Sequence, residues 1–457
     1  MKNSTINTPV SALQTDFYQL TMSYAKLMLG SAGEITGFES FFRHIKPEVA
    51  GDSPFYIFSG EKEVHEFMEI VKEEFNSPDF FDRFWKMFSN KIDKSVRESN
   101  YIIAKKAFDS IPKDFEYTVM PEGTKVYSKV PVFQFKGSNI IGQMIETPIT
   151  NIVNGRTGAK SFRTFFPDRV EDITNIEAIM NEPTAQYIQD LNGVAMEYRN
   201  ATSKVLLEAG FRRSASFAIA VRASKIAIDN GWEGTSNTAL FGSISPSLIN
   251  GTMAHAFVMG FEKEVDAFFA WDKIFPKSTI LIDTYDTVNA VKILIENNIR
   301  PASVRIDSDP IEKLAFEVRR ILDEAGWKEV KIFLSGDITP EKLIRWEEEK
   351  VPFDMCMAGT KFVNIDEMHF VNAGFVYKIV EYEKDGRTYF PFKKAFGKSN
   401  YPGLKTVSVD SDGDISMSIG RGFEFGFNNV DMISDNADIA FFSRIDFSNK
   451  GIHSEKI

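Results

Sequence analysis

The feature that narrows the fold most is a series in the second half of the chain, where short apolar runs alternate with helical stretches. Thr279 to Tyr285 (TILIDTY), Ser303 to Asp307 (SVRID), Val330 to Asp337 (VKIFLSGD) and Asp354 to Thr360 (DMCMAGT) are the apolar runs. Helical periodicity begins between them at about Val288, Ile311 and Glu341. Strands this short and apolar, each followed by a helix, predict βα units whose parallel strands are buried on both faces. Each run closes on polar residues: Asp283, then Arg305 with Asp307, then Asp337, then Gly359 with Thr360. A single Asp after a strand is a common helix cap. Four consecutive strand ends with the same habit instead point to the carboxyl face of an α/β barrel, where such folds place their active sites.

The remaining chain differs in texture. From Leu13 to about Ala107 the pattern is mostly helical, as in EKEVHEFMEIVKEEF from Glu61, interrupted by a strand-like GFESFFRHI from Gly37. From Phe115 to about Glu146 it breaks into short β-like pieces punctuated by Pro121, Gly123 and Pro131. Short β-like pieces return after Glu381. The expected organisation is an N-terminal α+β domain over 1–147, an irregular α/β barrel over 148–380, and a β-rich segment over 381–457 packing back on the first domain. The stretch from about Gly158 to Ile188 reads as a surface excursion.

A formal charge of −11 repels phosphate backbones, so neither nucleic acid nor an anionic membrane is an expected partner. The single cysteine, Cys356, allows no internal disulfide and no Cys-based zinc site. No apolar run approaches the ~18–20 residues of a membrane span, and no signal-peptide pattern is visible, so the expected location is cytoplasmic.

Taken without a family, the strand ends suit a phosphorylated, hydroxylated ligand. Gly359 and Thr360 offer backbone amides and a hydroxyl to a phosphate. Arg305 can grip a carboxylate or phosphate, or pair with Asp307 between adjacent strands. Asp307 and Asp337 suit sugar hydroxyls or a hydrated Mg²⁺. Two polar loops, GWEGTSN (Gly231 to Asn237) and GTMAH (Gly251 to His255), add Ser236, Thr252 and His255. A lone histidine is more often structural than catalytic, but of five it alone sits in a small-residue loop. Neither a Walker motif nor GxGxxG is present.

TDFYQLTM (Thr15 to Met22), GFESFFR, ETP (Glu146 to Pro148), EAGFRR (Glu208 to Arg213), GWEGTSN, GTMAHAF, LIDTYDTVNAV, VRIDS, SGD, AGT and KKAFGKSNYPGLK (Lys393 to Lys405) occur in that order. Their order and spacing resemble nicotinate phosphoribosyltransferase over nearly the whole chain. The resemblance implies transfer of phosphoribose from phosphoribosyl pyrophosphate to nicotinate, forming nicotinate mononucleotide for NAD biosynthesis with coupled ATP hydrolysis. It also implies Mg²⁺, ATP as co-substrate, and a homodimer with shared active sites.

By position, His255 matches the histidine that ATP phosphorylates, and Tyr18 matches an aromatic contributed across the dimer to stack on the pyridine. Arg305 resembles the residue holding the nicotinate carboxylate or ribose region, and Arg212 one near the nucleotide phosphate. Thr252 shares the phosphohistidine loop. Asp307 and Asp337 resemble ribose or Mg²⁺-water ligands, and Gly359 with Thr360 the 5′-phosphate loop. Lys394, Lys398 and Lys405 fall in the family's C-terminal basic motif and are expected to neutralise pyrophosphate. Two departures are RRSASFAIA where the family has RRAQGPDG, and DSDP, ending in Asp309 and Pro310, where it has DSGD.

A nicotinamide-using enzyme is the nearest alternative. Such enzymes of related fold carry an acid at the position of Ser236, and a carboxylate there would repel nicotinate, so Ser236 favours the acid substrate. A catalytically impaired nucleotide-binding relative is the other alternative, kept open by DSDP.

Overall fold

Two sheets organise the chain, one parallel and one antiparallel. The computed structural model describes residues 8–384, 386–391, 402–409, 415–420 and 422–425. In chain order the elements used below begin with α1 (Phe17–Met28), β1 (Ile35–Phe42), β2 (Pro131–Ser138) and α2 (Glu146–Phe165). They continue with β3 (Val205–Glu208), α3 (Phe217–Asp229), β4 (Gly234–Thr235), α4 (Glu264–Ile274), β5 (Thr279–Leu281) and α5 (Thr287–Glu296). The last are β6 (Ser303–Ile306), α6 (Ile311–Glu324), β7 (Lys331–Ser335), α7 (Pro340–Glu348), β8 (Met355–Ala358) and β9 (Phe375–Lys384).

Strands β3 to β8 form a parallel sheet in the order β4-β3-β8-β7-β6-β5, a half-barrel. The βα series read from the sequence is all here. Local chemistry sets its helix starts: Asp286 caps α5 by accepting from Asn289 N, and Thr339 caps α7 by accepting from Lys342 N, with Pro340 in the first turn. Helix α6 buries Ile311, Ala315, Val318, Ile321 and Leu322, one stripe at three- and four-residue spacing against the sheet. Full burial of such an aliphatic side chain contributes about 1.5–3 kcal/mol, which is what holds each helix to its strands.

The antiparallel sheet has the order Arg387–Tyr389, β9, β1, β2, Glu116–Val119. Much of the chain's phenylalanine collects beside it. Phe75, Phe80, Phe81 and Phe108, from the helices spanning Glu61–Asn76, Phe80–Phe88 and Arg97–Asp109, form a buried ring cluster. Strand β9 follows the half-barrel in sequence yet pairs with β1, so the chain returns to its first sheet. Farther on, Lys405 exchanges two backbone hydrogen bonds with the Gln134 side chain, both 2.8 Å, and its Nζ lies 2.5 Å from Glu39 Oε2.

Two expectations are corrected. The β-like texture up to Glu146 gives way to a helix at Asn139–Met144, whose Ile140, Ile141 and Met144 are all buried. The stretch from Gly158 to Ile188 is no surface excursion. It is helical, with Phe162, Ile176, Ile179 and Tyr187 packed into the core of the parallel sheet. Among the described residues no helix is long and apolar enough to cross a membrane.

Candidate active site

The carboxyl ends of the parallel strands meet in one cavity of ≈ 240 Å³. Asp307 follows β6, Gly336 and Asp337 follow β7, and Gly359 and Thr360 follow β8, and all of them line it. Ser335, the last residue of β7, donates its hydroxyl to Asp307 Oδ1 at 2.6 Å, which fixes that carboxylate across two strands. Arg305 projects from β6 and donates to Met253 O at 2.9 Å, tying the sheet to the loop that carries His255. His255 Nδ1 lies 3.1 Å from Thr284 Oγ1, and its Nε2 lies 3.8 Å from Asp307 Oδ2.

A second wall comes from the start of α1. Phe17 N donates to Ser236 O at 2.7 Å, and Asp16 accepts from the hydroxyls of Ser236 and Thr147. Gly251 explains how closely these pieces approach: a Cβ there would stand 2.4 Å from Tyr18 N, so the GTMAH loop has to begin with glycine. Burial pushes the Asp16 carboxyl up, against the lowering effects of Ser236, Arg212 and Thr147.

Arginines form the third wall. Arg212 donates to Glu146 Oε1 at 2.7 Å and lies 5.7 Å from the centre of the Tyr18 ring. Arg213 is pushed down to about 9, by burial first and then by the charges of Arg212 and Arg43. Arg43 is lowered too, by burial and by Arg212, with Asp337 and Asp307 opposing. Arg212 itself is raised: burial lowers it, but the charges of Tyr18, Glu146, Asp16 and Asp307 outweigh that burial. The uncompensated positive charge therefore falls on Arg43 and Arg213, a site that an anion relieves.

No family model matches the chain. It is 28% identical over 407 residues to nicotinate phosphoribosyltransferase pncB2 of Mycobacterium tuberculosis, covering 87% of this chain and 75% of that protein. The nicotinate phosphoribosyltransferase of Bacillus subtilis is 25% identical over 405 residues, covering 87% and 72%. The crystal structure of nicotinate phosphoribosyltransferase from Porphyromonas gingivalis superposes with a TM-score of 0.59 over 86% of this chain and 96% of that one, at 18% identity. The chain is a homologue of the nicotinate phosphoribosyltransferases.

For a homologue of these enzymes, the sequence-derived residues converge closely. His255, Arg305, Asp307 and Asp337 line the one cavity, as do Tyr18, Arg212, Ser236, Thr252, Gly359 and Thr360. Lys394 and Lys398 lie outside the described residues. Lys405 does not line the cavity; it is buried in its pair with Glu39, so the expected pyrophosphate contact is corrected to a structural one. Tyr18 sits at the wall formed by the start of α1. It lines the cavity of its own chain, because α1 is anchored beside Ser236.

Arg43, Arg213, Asp16 and Glu146 line the cavity but were not singled out from the sequence. Each sits inside a motif read as a marker of relationship: FFR, FRR, TDFYQ and ETP. Asp309, by contrast, is exposed and lines no part of the cavity, so the second acid of DSDP faces away from the site. Among the described residues no group of three or more His, Cys, Asp or Glu side chains is arranged to hold a metal. Two carboxylates, Asp307 and Asp337, nonetheless fit Mg²⁺, which commonly keeps its waters and binds through one or two carboxylates plus substrate phosphates.

Proposed function

We propose that this chain transfers phosphoribose from phosphoribosyl pyrophosphate to nicotinate, giving nicotinate mononucleotide and pyrophosphate, with ATP as co-substrate. The observation that carries the reading is the one cavity lined by a histidine, two strand-end carboxylates, the half-buried Tyr18 and four arginines, Arg43, Arg212, Arg213 and Arg305. The pyridine nitrogen forms its bond to C1 of the ribose as the C1–oxygen bond to pyrophosphate breaks. Negative charge then grows on the leaving group, where Arg43, Arg212 and Arg213 are already placed to meet it. Asp307 and Asp337 would hold Mg²⁺, which supplies further charge neutralisation when bound. Gly359 and Thr360 take the 5′-phosphate, and Tyr18 offers a ring face on which the pyridine stacks.

ATP phosphorylates His255 in this reading. The imidazole nitrogen forms a bond to the γ-phosphorus, the bond to the β-phosphate oxygen breaks, and ADP leaves. The acid substrate is favoured because Ser236 places a hydroxyl, not a carboxylate, at this wall, and that hydroxyl donates to Asp16. A homodimer and a cytoplasmic location belong to the same reading, tested by sizing and fractionation. The decisive assay is purified protein with phosphoribosyl pyrophosphate, Mg²⁺ and either nicotinate or nicotinamide, with and without ATP. Nicotinate mononucleotide formation stimulated by ATP is the expected result. Faster turnover of nicotinamide would replace this reading with the amide enzyme.

A further inference from the structure

Inward side chains normally fill an α/β barrel in layers, but the concave side of this sheet encloses a second cavity of ≈ 1020 Å³. Its wall is largely apolar, with Leu207, Trp271, Phe333 and Met355 among the lining residues. The first residues of β5, β6, β7 and β8 line it, so it occupies the amino-terminal end of the barrel, opposite the catalytic cavity. Exposed Lys277, Arg300 and Lys331 stand at its mouth, with Arg300 paired to Glu329. At its inner end it shares four lining residues with the catalytic cavity: Ser236, Gly251, Thr252 and Met357. Three of these are small, and the fourth is an unbranched side chain that repacks readily.

A void of this size forfeits the packing contacts of its whole lining, so a fold without a use for it would close it. The catalytic cavity is about a quarter as large, and its arginine-lined side is where a polyanionic donor belongs. We propose that the barrel lumen is a second entrance, through which the pyridine carboxylate reaches the partition at Ser236 and Thr252 after phosphoribosyl pyrophosphate has filled the arginine side. This rests on the function proposed above. The acceptor's chemistry suits the route: a flat ring slides along apolar walls, and its single carboxylate is drawn to Lys277 and Lys331 at the mouth.

Two variants narrow the route at different depths. Ala302→Trp lies at the mouth on an exposed residue, where folding is not at risk, and Leu207→Phe lies within the lumen. At saturating phosphoribosyl pyrophosphate, each is expected to lower kcat/KM for nicotinate at least about tenfold, because entry through a constriction becomes slow. KM for phosphoribosyl pyrophosphate stays near wild type. The Kd for nicotinate from calorimetry also stays near wild type, because a constriction slows entry and exit alike. Wild-type kcat/KM in both variants, or a loss that merely tracks a weaker Kd, would overturn the second entrance. A wild-type protein that makes no nicotinate mononucleotide would overturn the functional reading instead, and is seen before any variant is compared.

Discussion

His255 turns its Nε2 toward the carboxylate of Asp307 at 3.8 Å. The loop from Asn250 to His255 contains no acid of its own, so this negative neighbour comes from the end of β6, brought in by the fold. An acid at that distance stabilises a cationic imidazole but repels the anionic phosphoryl group, both arriving and bound. Phosphoryl transfer to His255 therefore needs that charge countered by the arginine wall. The His255→Ala variant is expected to lose stimulation by ATP while keeping a slower, ATP-independent transfer, since Asp337, Thr360 and the arginines still bind the donor. The check is acid-labile, base-stable label from γ-³²P-ATP on wild type and none on the variant. Stimulation by ATP that survives in His255→Ala removes this residue from the mechanism.

The arginine wall makes its own prediction. Pyrophosphate should raise the Tm of the wild type, because an anion offsets the burial of Arg43 and Arg213 and the repulsion by neighbouring arginines that together lower them. Arg43→Ala should be at least as stable as wild type without ligand, yet lose about 1.5–3 kcal/mol of pyrophosphate binding, the scale of a hydrogen bond to a charged group. Affinity should also fall as pH rises through about 9, where unliganded Arg213 begins to lose its proton. Thermal melts with and without pyrophosphate, repeated between pH 7 and pH 10, measure both effects. A pH-independent shift of equal size in both proteins contradicts the wall.

Legibility followed the strength of the local signal. The strands SVRID and VKIFLSGD were readable because Val304 and Ile306, and Ile332, Phe333 and Leu334, are apolar residues buried in the sheet, and each polar end then marks a turn into a helix. The run TILIDTY was read to Tyr285, but β5 stops at Leu281, because Asp283 to Asp286 form the turn into α5. The arginine wall was not legible: Arg43 lies over 160 residues from Arg212, and only the pairing of β1 with β9 and the packing of α2 bring them together. The lumen left no trace in the pattern either, since Leu207 and Met355 look like any other apolar strand residues.

Specificity for the acid substrate should depend on Ser236. Its hydroxyl donates to Asp16, so Ser236→Asp would set two carboxylates against each other inside a dry wall. Catalytic efficiency with nicotinate should drop by on the order of 2 kcal/mol, from like-charge juxtaposition near the substrate carboxylate. The nicotinate to nicotinamide ratio of kcat/KM is the measurement. An unchanged ratio means that Ser236 does not select the acceptor.

Lys405 should prove structural. Removing its charge leaves Glu39 buried at 1% exposure without its partner. Loss of one member of such a pair costs about 3–5 kcal/mol, so Lys405→Met should shift the urea midpoint strongly. Pyrophosphate affinity of the folded fraction should not move. A variant of normal stability with weakened pyrophosphate binding would return Lys405 to the active site.

Glu264 offers a pH-dependent test of the region beside the histidine loop. It opens α4, and burial raises its pKa from 4.5 to about 7, with Asp286 and Asp283 adding to the rise. Neither Glu264 Oε1 nor either carboxylate oxygen of Asp283 has a hydrogen-bond partner among the described residues. The folded state therefore holds a proton on Glu264 more tightly than the unfolded chain does. That contribution to stability is fully present below pH 4.5 and is lost as pH rises through about 7. Glu264 is only partly buried, so solvent screening reduces its size to on the order of 1–2 kcal/mol. Replacing it by the neutral isostere in Glu264→Gln should leave stability at pH 5 nearly unchanged and raise it at pH 8. Urea midpoints of both proteins at the two pH values decide the matter: a variant that follows the wild-type curve in parallel would show that Glu264 titrates like an ordinary surface acid.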